Sequence, residues 1–155
     1  MDTSIKGQSR FQISDKAREL SIEIICYLFI ALFIYTATDK IFDFKSFHRF
    51  LGRLDFLHTI GPILAYLIPV AEIAVSILLL IPKTKRLGLY LSLAIMILFT
   101  SYLVFMKLTL DAEHLPCHCG GAITRLSWTQ HIWFNLGFIL LAGIGIKLIN
   151  SKKSS

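Results

Sequence analysis

Charge is scarce in this chain. Only 17% of its 155 residues are Asp, Glu, Lys or Arg, where a soluble globular domain carries about 25%. With 55% of residues hydrophobic and a mean hydropathy of +0.66, an ordinary soluble globule is excluded. Cysteine is scarce too. The three present are Cys26, Cys117 and Cys119, so a second close pair, as a two-disulfide relay requires, is lacking. No internal repeat is evident, which counts against the common repeat architecture of transporters. No basic motif interleaved with aromatics occurs either, so the formal charge of +6 calls for no nucleic-acid partner.

What the chain has instead is four apolar blocks, at 20–38, 60–81, 87–106 and 128–146. Each approaches the roughly 20 residues that a helix needs to cross a hydrocarbon core. The third block holds no charged residue and the second only Glu72. The expected fold is all-α: a polytopic four-helix membrane bundle over 20–148, with a cytoplasmic N-terminal segment at 1–19 and a basic tail at 149–155. The first block reads as a retained helix rather than a signal peptide, since its charged leader is long and no small-x-small cleavage site follows.

Orientation follows from the basic residues. Lys6, Arg10, Lys16, Arg18, Lys83, Lys85, Arg86, Lys147, Lys152 and Lys153 would share one side, and they outnumber Lys40, Lys45, Arg49, Arg53, Lys107 and Arg125 on the other. The positive-inside rule then sets both termini and the turn at 83–86 in the cytoplasm. The lipid bilayer is the first partner this implies.

Two longer connections face the outer side. In 39–59, Ile41, Phe44, Phe47, Leu51, Leu54 and Leu57 recur every three or four residues, with Asp43, Lys45, Arg49, Arg53 and Asp55 between them. That spacing predicts an additional amphipathic helix in the outer interface. Gly61-Pro62 restarts the chain as the second span, Pro being tolerated in a first turn.

The second connection carries His114-Leu115-Pro116-Cys117-His118-Cys119-Gly120-Gly121. Its two thiols would lie on the oxidising side, where disulfides form and exchange. A disulfide between residues two apart closes a very small, strained and labile ring. Pro116 and the glycines suit a tight backbone, and His118 or His114 can assist thiolate formation. A reactive exchange site is one reading. A static bracing disulfide, a metal site of His114, Cys117, His118 and Cys119, and two unrelated thiols are the others. The metal reading suffers from ligands that crowd a tetrahedron. Cys26, about 18 Å below the outer end of its span, should not reach the loop and reads as a small apolar residue.

Ionisable groups inside a span are costly unless paired or wetted. Glu72 is the deepest, one turn after Pro69, whose missing N–H can kink the helix. Lys40 is the nearest cation available to it. Trp128, His131 and Asn135 share one face at the start of the last span. Trp128 and Trp133 suit an interfacial belt, while His131 and Asn135 suit the protein interior. They could contact a thiolate, a proton or a quinone head group.

These features together, namely the four-helix plan, Thr38-Asp39-Lys40-Ile41-Phe42, Glu72, the Cys117-His118-Cys119-Gly-Gly loop and Trp128-x-x-His131, resemble the MauE branch of the DoxX-like membrane proteins over about residues 20–148. The resemblance implies a redox-associated bacterial inner-membrane protein with a periplasmic cysteine loop. MauE proteins are linked to disulfide formation in periplasmic partners during methylamine dehydrogenase maturation, and DoxX relatives to quinone-linked sulfur oxidation. By that resemblance Cys117 and Cys119 would be the redox pair, with Glu72, Lys40 and His131 as supporting positions. His118 is a further catalytic candidate beside the pair, and Lys40, Trp128 and Asn135 are candidates for a quinone or polar pocket. The leading expectation is a thiol-disulfide oxidoreductase acting on a periplasmic partner, thioredoxin-like in one form, with quinone as a candidate cofactor. A non-catalytic assembly factor or metal-binding docking protein is the alternative. A small transporter built on Glu72 and Pro69 ranks third, and a homodimer could supply the helices it lacks.

Overall fold

The computed structural model describes residues 15–45, 47–48, 60–109 and 127–152. The cysteine loop with His114, Cys117, His118 and Cys119, together with Leu51, Leu54 and Leu57 of the outer connection, lies outside these residues. So do the side chains of Met106, Thr109 and Trp128.

The architecture is all-helical among the described residues: α1 (Asp15–Phe42), α2 (Gly61–Leu80), α3 (Lys85–Thr109) and α4 (Trp128–Lys152). All four contain stretches long and apolar enough to cross a membrane. α1 and α4 outrun their apolar blocks, because a helix can continue past the hydrocarbon boundary wherever its charged residues reach water. Local signals set the ends. Pro62 occupies the first turn of α2, where its missing donor costs nothing. α4 opens with a capping box, in which the Ser127 N–H donates to Gln130 Oε1 at 2.9 Å and the Gln130 N–H to Ser127 Oγ at 3.3 Å.

Each helix packs beside its neighbours in sequence, and α4 closes the ring against α1. Three polar contacts fix the up-down order. Lys85 Nζ pairs with Glu23, so α3 and α1 begin at the same end. Asn150 Nδ2 donates to Tyr90 Oη at 3.2 Å there, and Lys107 Nζ to Thr129 Oγ1 at 2.7 Å at the other end.

The interior has two apolar clusters. The larger, near the Lys85 end, gathers Ile25, Phe29, Phe33, Leu79, Leu89 and Met96 among others. The smaller, near the Lys107 end, centres on Phe47, Ala65 and Leu103. Cys26 is buried in the larger cluster, facing the bundle.

Among the described residues of the outer connection, Ile41 departs from the sequence pattern. Spacing groups Ile41 with Phe44 and Phe47, yet Ile41 points outward while Lys40 takes the inward place, four residues before half-buried Phe44 and seven before buried Phe47. The cause is that α1 runs unbroken to Phe42. The inward face is then set by the bundle, and Ile41 can meet lipid at no cost.

Among the glycines at 88, 137, 143 and 145, the helices approach most closely at Gly88. A Cβ there would stand 2.8 Å from Leu79 Cδ2 and 3.1 Å from the Leu79 backbone nitrogen, whereas one at Gly137 would meet nothing within 4 Å. Gly88→Ala is therefore expected to cost about 1–2 kcal/mol by overpacking α3 against α2. Gly137→Ala should be neutral or slightly stabilising. Reversible unfolding in mixed micelles would check the pair, and equal effects would contradict the close approach.

Candidate functional site

The site begins with helix geometry. Side chains lean toward the N-terminus of their own helix, so Lys40 on α1 and Glu72 on the antiparallel α2 incline toward each other. Lys40 Nζ meets Glu72 Oε1 at 2.6 Å. Both residues are enclosed, at 5% and 6% exposure. Two charges so enclosed need compensation, and each neutralises the other. The ammonium also lies 6.0 Å from the centroid of the Phe47 ring, within reach of a cation–π attraction.

The surrounding hydroxyls do not complete the carboxylate's shell. Ser76 Oγ donates to the Glu72 carbonyl at 2.8 Å. Thr36 Oγ1 donates to the Phe33 carbonyl at 3.2 Å, although it stands beside the Glu72 carboxyl group. Glu72 Oε2 is left buried with no hydrogen-bond partner. Pro69 is buried one turn earlier, and α2 continues helical through it.

The second polar element lies on α4. His131 and Asn135 are each 2% exposed, so both face the bundle rather than lipid. The Phe99 ring of α3 stands edge-on to the imidazole, with centroids 6.5 Å apart. His131 Nδ1 and Asn135 Nδ2 have no hydrogen-bond partner. Trp133, by contrast, is 70% exposed on the outer surface of α4, as an interfacial belt residue should be.

The structure thus brings Lys40 and Glu72 together and turns His131 and Asn135 inward. Among the described residues no group of three His, Cys, Asp or Glu side chains is arranged to hold a metal. Residues that sequence reasoning passed over also belong here: Thr36, Ser76 and Phe47 around the ion pair, and Thr100, whose Oγ1 donates to the Met96 carbonyl at 2.6 Å. A signal existed for two of them. Thr36 precedes Lys40 by four and Ser76 follows Glu72 by four, which puts each on the same helix face as its charged neighbour.

Four apolar helices around a buried ion pair define a small multi-pass membrane protein, whose environment is a lipid bilayer. The model of the family described as methylamine utilisation protein MauE matches residues 18–148, and the chain belongs to that family. No match is found among curated proteins or among solved structures.

Proposed function

We propose that the protein is a thiol-disulfide exchange protein of the bacterial inner membrane. Cys117 and Cys119 form its redox pair on the periplasmic face, and a periplasmic protein carrying a dithiol or disulfide is its partner. The carrying observation is the Cys117-His118-Cys119 sequence between Pro116 and Gly120-Gly121, on the connection from α3 to α4. Support comes from the helix ends that bound this connection. Lys107 and Thr129 join at the end of the bundle opposite Lys83, Lys85 and Arg86, and that basic turn is the one the positive-inside rule keeps cytoplasmic.

In one direction a cysteine thiolate attacks the partner's disulfide. A mixed disulfide forms, and one partner thiolate leaves. The second cysteine, once deprotonated, attacks the mixed disulfide at the first, releasing the partner as a dithiol and leaving the Cys117–Cys119 disulfide. Two electrons have then passed to the partner. The opposite direction oxidises the partner by the same two steps in reverse. His118 stands between the two cysteines and can take or return the thiol proton.

Trapping tests the reading. In membranes quenched with acid and alkylated, the wild-type pair is expected to be found partly oxidised without added oxidant. Cys119→Ser should accumulate a mixed disulfide through Cys117 that reductant dissolves. A pair that is always fully reduced, with no adduct from Cys119→Ser or Cys117→Ser, rejects it.

A further inference from the structure

The helices share a level that close contacts define. A Cβ at Gly145 of α4 would lie 3.3 Å from Ile25 of α1 and 3.3 Å from Leu89 of α3, and the neighbouring Gly88 abuts Leu79 of α2. Counting away from this level toward the Lys107 end, at 1.5 Å per residue, puts Thr36 and Thr100 about 16 Å along, Asn135 about 15 Å and Glu72 about 10 Å. The Glu72 side chain then leans further the same way. One buried polar residue from every helix therefore falls within a band about one helical turn deep. The large apolar cluster closes it on the Lys85 side, and His131 stands one turn beyond Asn135 on the other.

Within the layer the hydroxyls of Thr36 and Thr100 are bound to carbonyls of their own helices. Two groups are not satisfied: an acceptor, Glu72 Oε2, and a donor, Asn135 Nδ2. They belong to α2 and α4, which lie across the bundle's diagonal, and both side chains are turned inward. Left unmet, each buried group costs about 1–3 kcal/mol. An acceptor and a donor within one helical turn of depth, both turned to the interior, are what bound water needs to bridge them. His131 Nδ1, also unpartnered and buried, continues the polar line toward the Ser127 end.

We propose that this layer is an internal hydration site. Water bridges Glu72 Oε2 and Asn135 Nδ2, enters past His131 from the Ser127 end, and stops at the apolar cluster around Phe29. The bound water completes the carboxylate's shell and keeps the Lys40–Glu72 pair ionised at that depth. The site is open on one side only, which distinguishes it from a through-channel and does not depend on the exchange chemistry of the cysteine loop.

Substituted cysteines test it in right-side-out membranes, with Cys117 and Cys119 replaced by Ser. Thr100→Cys and Thr36→Cys each put a thiol in place of a buried threonine side chain of similar size. Each should react with a small charged methanethiosulfonate, added from the Ser127 side, at least tenfold faster than Ser92→Cys or native Cys26 in the apolar cluster. Adding Asn135→Leu to Thr100→Cys should bring the rate down to that of Ser92→Cys. Rates at positions 36 and 100 equal to those at 26 and 92 overturn the site. An unchanged rate with Asn135→Leu overturns the bridge, and Thr36→Cys supplies the reading if Thr100→Cys does not reach the membrane.

Discussion

Lys40→Met is expected to lower the stability of the folded bundle by about 3–5 kcal/mol, the usual cost of stripping one partner from a buried ion pair. The reason lies in the enclosure of the pair. At 5% and 6% exposure, neither residue can turn to bulk water, and the 2.6 Å contact is the main compensation each receives. Glu72→Leu alone should cost a similar amount by stranding the ammonium. The double variant Lys40→Met/Glu72→Leu should recover most of the loss, since an apolar pair of comparable volume leaves no buried charge unpaired. Unfolding curves for the four proteins in mixed micelles give the coupling directly. Additive single losses would mean that the two side chains do not depend on each other, contrary to the geometry.

Phe29→Ala is expected to cost about 3 kcal/mol, at the low end of what such truncations cost in soluble proteins. Phe29 is fully enclosed, at 0% exposure. Its ring meets Phe138 of α4 edge-on, with centroids 5.2 Å apart, and Phe33 at 5.8 Å. In lipid the transfer contribution shrinks, because acyl chains are as apolar as the interior. The lost dispersion contacts and the cavity remain. Leu140→Ala on the lipid-facing side of α4, at a site 69% exposed, should move stability by less than about 0.5 kcal/mol. Comparable losses at the two positions, measured in the same micelles, would contradict the assignment of Phe29 to the α1–α4 contact.

Both expectations concern residues whose weight is unevenly visible in the sequence. Glu72 stands out because it is the one charged residue in its block, and Lys40 follows as the nearest available cation; electrostatic cost in a membrane makes such residues conspicuous. Phe29 does not stand out. It is one of 12 phenylalanines, and in a helix that is apolar all round, composition does not distinguish the face toward protein from the face toward lipid. The same ambiguity explains Ile41. Hydrophobic spacing places it with Phe44 and Phe47, as it would in a soluble amphipathic helix, but lipid accepts an outward isoleucine and the bundle needs the lysine. Asn135 and His131 were legible as inward-facing for the opposite reason, because lipid rejects them.

The amino acids alone establish four helices apolar enough to cross a membrane, the polar residues within those spans, and two cysteines together on a connection between them. These follow from properties summed along one helix or one loop: length, hydropathy and spacing. Packing between the helices sets the contact of Lys40 with Glu72 and the close approach of Leu79 to Gly88. Those relations depend on the register between helices. In a membrane that register is set by close packing and by the pairing of the few polar groups rather than by the hydrophobic pattern of any one segment.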